Sequence, residues 1–214
     1  MREAIPSEEF DYPVLIHALA SFAAPRDKIT DLLKKGIVVR IKKGIYVFGS
    51  LLRRRPISRE VLGNLLFGPS YLSLDFALQH HGLIPEGVEI VSSVTTGRSR
   101  KFTTPVGTFT YMMIPLKAFR TGTDLVQSEG GLSYYMATPE KALADKLALE
   151  RGLVVANETE MKTYLLDHLR VPEDAFGRLD KARMKRIEVA YGTRRIALLA
   201  QVVAHFPRAK GKRR

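Results

Sequence analysis

The chain has 214 residues, 45% hydrophobic and 26% charged, with a formal net charge of +12 and no cysteine. That length buries a core without covalent staples, and the missing cysteine excludes a disulfide scaffold, a thiolate metal site and a cysteine nucleophile. No apolar run of about eighteen residues suggests a membrane span, and Glu3, Glu8, Glu9 and Asp11 give the N-terminus the wrong charge for a secretory signal.

In chain order, Tyr12–Ala23 is apolar on most sides and predicts a buried helix, with His17 as a packed core residue. Pro25–Lys35 predicts a second helix. Pro25 suits the first helical position, Gly36 the left-handed site past the end, and Lys34 and Lys35 the negative end of the dipole. Ile29, Leu32 and Leu33 form its buried stripe, leaving Asp27, Thr30, Asp31, Lys34 and Lys35 outside. Ile37–Phe48 alternates as a β-hairpin turning at Lys43-Gly44.

Helix, helix and basic-tipped hairpin match the end of a winged helix-turn-helix, whose recognition helix precedes the wing. Such a helix fits the major groove while basic side chains neutralise phosphates. Arg26, Lys28, Lys34, Lys35, Arg40, Lys42 and Lys43 are the candidate phosphate partners, and Thr30 is placed to reach a base edge. Two features oppose this reading: one helix precedes the recognition helix where two are usual, and Asp27 and Asp31 would repel phosphate. The alternative is a structural helix–hairpin unit with a solvated charged face.

Leu51–Pro56 reads as a basic linker, in which Arg53, Arg54 and Arg55 could follow a DNA backbone. Beyond it, Ser58 caps a helix to about Leu66, and Tyr71–His81 predicts another, with Ser73 as its cap and Gly82 as its stop. Val88–Thr96, Lys101–Thr104 and Gly107–Met113 predict strands, and Leu125–Gln127 and Ser133–Met136 weaker ones around Gly130-Gly131. These imply a small, mostly antiparallel sheet with helices on one side. Thr138–Arg151 is a helix capped by Thr138, with Leu143 and Leu147 in the core. Helices follow at Glu158–Leu169, Leu179–Tyr191 and Thr193–Phe206, and the basic tail 207–214 is expected to be disordered.

The charge is uneven. Residues 1–56 carry a net +5, residues 57–177 a net −3 and residues 178–214 a net +10. Clustered positive charge points to a polyanion, most often nucleic acid; solubility or an anionic membrane surface are the competing explanations.

Catalytic patterns are sparse. His80 and His81 point about 100° apart on a helix and share no metal site, and no Walker A, G-x-S-x-G or G-x-G-x-x-G stretch occurs. Gly49-Ser50 evokes a nucleotidyltransferase but no paired D-x-D follows. The loop Gly97-Arg98-Ser99-Arg100-Lys101 could bind phosphate or be a solvated hairpin loop. Glu140, Asp145 and Glu150 do not line up on one helix face. The chain is therefore not read as an enzyme, and no cofactor or metal is expected.

Three stretches together resemble the AbiEi-type antitoxins of type IV toxin–antitoxin, or abortive-infection, systems. The first is Leu32-Leu33-Lys34-Lys35-Gly36 followed by Val39-Arg40-Ile41-Lys42-Lys43-Gly44-Ile45-Tyr46-Val47. The second is Gly68-Pro69-Ser70-Tyr71-Leu72-Ser73 with Ala77-Leu78 and His81-Gly82-Leu83, and the third is Ala137-Thr138-Pro139-Glu140-Lys141-Ala142-Leu143-Ala144-Asp145. The resemblance spans about residues 25–150. It implies a transcriptional repressor that binds inverted repeats in its own promoter and counters a nucleotidyltransferase-like toxin through its C-terminal domain. Lys34, Lys35, Arg40, Lys42 and Lys43 match positions expected to face DNA. The chain departs from the family in a shortened lead-in, which leaves the first helix of the winged helix unassigned.

The expectation is thus an α+β protein: a winged helix-turn-helix over 1–50, a linker over 51–56, an α+β antitoxin domain over 57–206 and a tail over 207–214. Its expected partners are double-stranded DNA and the cognate toxin, with no membrane, in a cytoplasmic monomer or weak dimer. The rival expectation is an antitoxin acting by protein or RNA interaction without reading DNA; a nucleic-acid-processing enzyme ranks third.

Overall fold

The computed structural model describes residues 1–128 and 131–208. It is a mixed α+β structure with two hydrophobic cores. Gly130 and residues 209–214, and with them much of the expected tail, lie outside the described residues.

The smaller core belongs to the N-terminal unit. Strand β1 (Glu9–Asp11) leads into helix α1 (Tyr12–Ala18), helix α2 (Pro25–Lys34) and the hairpin β2 (Val38–Lys42) and β3 (Ile45–Phe48). The antiparallel sheet has the order β1-β3-β2. β1 was not predicted, because three residues are too few to show an alternating pattern. Asp11 starts α1 by accepting from the Val14 N–H at 2.9 Å. The helix expected to reach Ala23 stops at Ala18, and Leu15 and Leu19 are its buried anchors. His17 is exposed, not packed: the apolar letters around it spread over a half-exposed short helix.

α2 buries Ile29 and Leu32 and ends at Gly36, whose φ of +65° is the left-handed conformation glycine permits. A Cβ at Gly49 would lie 1.8 Å from the Gly36 carbonyl oxygen. The Gly49 N–H donates to Ile37 O at 2.8 Å. Gly49 is therefore explained by this close approach rather than by nucleotide chemistry.

The larger unit is built on six strands in the order β6-β7-β5-β4-β9-β8. They are β4 (Ser70–Leu72), β5 (Val91–Thr95), β6 (Arg100–Thr104), β7 (Gly107–Met113), β8 (Thr123–Gln127) and β9 (Ser133–Ala137). The sheet is mixed, larger than expected, with β5 parallel to β7 and β4 parallel to β9. Ser70–Leu72, expected partly as helix, is a central strand; the helix that follows, α4 (Leu74–His80), starts later. A three-residue strand buried on both faces has no sequence period to betray it.

Helices cover both faces, not one. Helix α3 (Arg59–Leu66) packs on Leu72 and Val91, against which Gly63 fits without a Cβ, and its Gly63 carbonyl accepts from the Tyr111 hydroxyl at 2.7 Å. On the other face lie α4 and α6 (Pro139–Leu149). The remaining helices are α5 (Leu116–Phe119), α7 (Glu158–Thr163), α8 (Glu173–Phe176), α9 (Lys181–Tyr191) and α10 (Arg194–His205). α7 runs on into a π-helical stretch, Tyr164–His168. No helix among the described residues is long and apolar enough to cross a membrane.

Candidate nucleic-acid interface

α2 presents Arg26, Thr30 and Lys34 at i, i+4 and i+8, a single exposed stripe opposite Ile29 and Leu32. The Thr30 hydroxyl donates to the Arg26 carbonyl at 3.3 Å, which leaves its lone pairs free to accept. Arg40 and Lys43 are exposed on the hairpin, and Arg53 and Arg54 on the loop that follows it.

The other expected phosphate partners are engaged within the protein. Asp31 stands 3.0 Å from the Lys35 amine and 3.6 Å from that of Lys28. The Lys35 hydrogen bond is the main cause that holds the Asp31 carboxyl below its ordinary range. Lys28 also lies over the Phe22 ring, 5.2 Å from its centroid. Arg55 is turned inward, donating to Pro6 O at 3.1 Å and lying 3.9 Å from Glu8. Lys42 reaches out of its own unit. Its amine donates to Leu66 O at the end of α3 at 2.7 Å and sits 4.6 Å from the centroid of the Phe102 ring on β6. The hairpin thus anchors on the larger unit, and Ile41 and Val47 join the larger core.

Glu8 and Glu9 fasten the same joint. Glu8 is fully buried and accepts from Arg2 at 2.6 Å and from the Arg54 N–H at 3.3 Å. Glu9 accepts from the N–H of Ser58, which caps α3. Burial pushes the Glu9 carboxyl up, against the downward pull of that N–H. Read along the sequence, these two glutamates are an acidic surface run; only the returning linker turns them into buried acceptors.

The larger unit holds a second buried polar cluster that sequence reasoning missed. Asp145 on α6 accepts from Ser73 at 2.6 Å, from Tyr71 at 3.0 Å, and from Tyr191 and Lys141. Lys141 and Asp145 are both 0% exposed. Burial drives the Tyr71 and Tyr191 hydroxyls far above the usual phenol range, and Asp145 adds to the rise. Burial lowers the Lys141 amine in spite of Asp145. Ser73 spends its hydroxyl here and makes no side-chain hydrogen bond to cap α4. The donors converge on one buried carboxylate, so the cluster joins β4, α6 and α9. Lys141 and Asp145 stand at i, i+4 on α6, and only the burial contributed by β4 and α9 sets the pair apart from a surface one. Thr138 caps α6 as expected, accepting from the Lys141 N–H at 3.4 Å.

Among the described residues, no three His, Asp or Glu side chains are grouped closely enough to hold a metal ion. His81 is half-buried and in contact with the Ala137 carbonyl at 2.8 Å; burial lowers its pKa. Comparison with protein-family models finds no match, and comparison with curated proteins finds none either.

Proposed function

We propose that the protein is a DNA-binding transcriptional repressor and the antitoxin of a type IV toxin–antitoxin system. In this reading the N-terminal unit is a winged helix-turn-helix, with α2 as the recognition helix and the β2–β3 hairpin as the wing. α2 enters the major groove, Thr30 meets a base edge, and Arg26, Lys34, Arg40 and Lys43 take phosphates. The observation that carries it is the free stripe Arg26–Thr30–Lys34 on a helix that leads directly into a hairpin with exposed Arg40 and Lys43. The sheet order β1-β3-β2, with α1 and α2 between β1 and β2, supports it. Neutralisation of a nucleotidyltransferase-like toxin by the larger unit rests on the family resemblance alone.

The test is fluorescence anisotropy on the gene's own upstream duplex and on a shuffled duplex, across a salt series. Preference for the upstream duplex by a factor of about a thousand is expected. Equal, steeply salt-dependent binding to both would remove the repressor assignment.

A second reading, an antitoxin acting through protein or RNA contacts, is favoured by one observation: Asp31 pairs with Lys28 on α2 and with Lys35 just past its end. Asp31→Asn separates the two. On the first reading it frees Lys28 and Lys35, and the salt slope of DNA binding steepens by up to about 1.8, at roughly 0.9 per added phosphate contact. On the second the slope stays unchanged.

A further inference from the structure

We infer that the basic turn from the β5–β6 loop into β6, with Arg98 in the loop and Arg100 at the start of the strand, is a second phosphate-binding site lying on the same duplex track as the hairpin. The inference rests on the DNA-binding reading above and extends it to the larger unit.

Position comes first. Lys42 at the hairpin tip sits over Phe102, in the middle of β6. Phe102 packs on Phe67 and Tyr111, with ring centroids 6.1 and 5.7 Å apart. A Cβ at Gly97 would lie 3.5 Å from the Phe67 ring. A continuous line of contacts therefore runs from the hairpin tip through Phe102 and Phe67 to the start of the basic loop. Alternation along β6 places Arg100 on the same face as Phe102, the face that meets Lys42. The register agrees, since Arg100 lies opposite Tyr111 and Phe102 opposite Phe109.

The loop is also pinned. Ser99 Oγ accepts from the Met113 N–H at 3.1 Å, and Thr95 Oγ1 accepts from the Gly97 N–H at 3.1 Å. Arg98, Arg100 and Lys101 are exposed and make no side-chain ion pair or hydrogen bond among the described residues. They stand in a segment, 57–177, whose net charge is −3. Arg98 and Arg100 thus stand where this otherwise acidic unit holds the hairpin, while alternation turns Lys101 to the opposite face of β6. Charge on an edge strand also discourages strand pairing between molecules. That explains Arg100 and Lys101 on β6, but not Arg98, which precedes the strand.

A duplex docked on α2 and the hairpin carries one phosphate charge per about 1.7 Å of its axis, so a rigid basic loop beside the wing extends the neutralised track. Lys42 then serves as the anchor that holds the two basic elements in register, not as a phosphate contact.

The experiment compares the full chain with Arg98→Ala/Arg100→Ala and with Arg40→Ala/Lys43→Ala, on the upstream duplex and a shuffled one, over a salt series. Both loop substitutions are at exposed positions, and thermal unfolding verifies the fold. The loop variant is expected to lower the salt slope by about 1.8 on both duplexes, at roughly 0.9 per contact. The upstream-to-shuffled preference is expected to persist, because phosphate contacts carry no sequence information. An unchanged slope in the loop variant, with a lower slope in the hairpin variant, overturns the inference and leaves the DNA-binding reading standing. A change in the loop variant alone overturns the shared track. Self-association of the loop variant with an unchanged slope assigns the charges to edge protection and overturns the inference. Failure of the wild-type chain to bind either duplex removes both.

Discussion

The two ends of the chain are both basic, yet their cations are spent differently. In the N-terminal unit and the loop after it, Arg26, Lys34, Arg40, Lys43, Arg53 and Arg54 are exposed. In the C-terminal helices most of the described cations have partners inside the protein, either backbone carbonyls or carboxylates. Arg195 donates to the carbonyls of Leu147 at 2.7 Å, Glu150 at 3.0 Å and Leu153 at 2.7 Å, satisfying the end of α6 and the turn beyond it. Lys181 does the same for Ala204 and Phe206 at the end of α10, and Arg194 for Ala156. Arg183 pairs with the buried Glu140, and Arg178 with Asp174. Among the described residues, the segment with the greater net charge is thus the one more occupied with its own fold. Net charge locates a polyanion partner only after the internal acceptors have been subtracted.

Predictions that strain this contrast can be ranked by effect. Lys141→Met strikes the extreme case of an internally spent cation. It leaves Asp145 buried without its counter-ion, at an expected cost of about 3–5 kcal/mol in denaturant unfolding. A loss below 1 kcal/mol, on the order of a surface pair, would show that the three hydroxyls alone satisfy Asp145. Arg195→Ala deprives the three carbonyls of a charged donor and should cost roughly 1.5–3 kcal/mol, with an unchanged salt slope of DNA binding. A lower slope would return Arg195 to the interface.

Glu9 tests the joint between the units. Its carboxyl is raised above the ordinary value of 4.5 by burial. The folded state therefore holds this proton to higher pH than the unfolded chain does. The contribution to stability is full below about pH 4.5 and is lost as pH rises through the folded value. Glu9→Gln removes this component, so the difference between wild type and variant should shift steadily over that window in thermal unfolding. A flat difference would place Glu9 in water. The smallest stability effect belongs to Arg40→Ala/Lys43→Ala, within roughly 0.5 kcal/mol, because exposed cations without partners contribute little to folding. A larger loss would erase the contrast between the two ends.

Much of the N-terminal unit was legible. Pro25, Gly36 and the Ile29–Leu32 spacing delimit α2, and Lys43-Gly44 marks the hairpin turn, since each signal acts within a few residues. The capping of α3 by Ser58 and of α6 by Thr138 was legible for the same reason. The strands β1 and β4 were not, because three residues carry too short a pattern. Of the site, the exposed stripe on α2 followed from periodicity. The diversion of Lys42 and Arg55 did not, because their partners lie 24 and 47 residues away along the chain.

By itself, the sequence determined where α2 and α3 begin and end, where α6 begins, which face of α2 is apolar and how charge is distributed along the chain. These follow from capping, backbone conformation and periodicity, all of them short-range. Only the tertiary structure decided which charges remain available. A carbonyl, a carboxylate or an aromatic face brought up from a distant segment turns an apparent surface cation into a structural one. That happened at Lys42, Arg55 and Arg195, and it did not happen at Arg26, Lys34, Arg40 and Lys43.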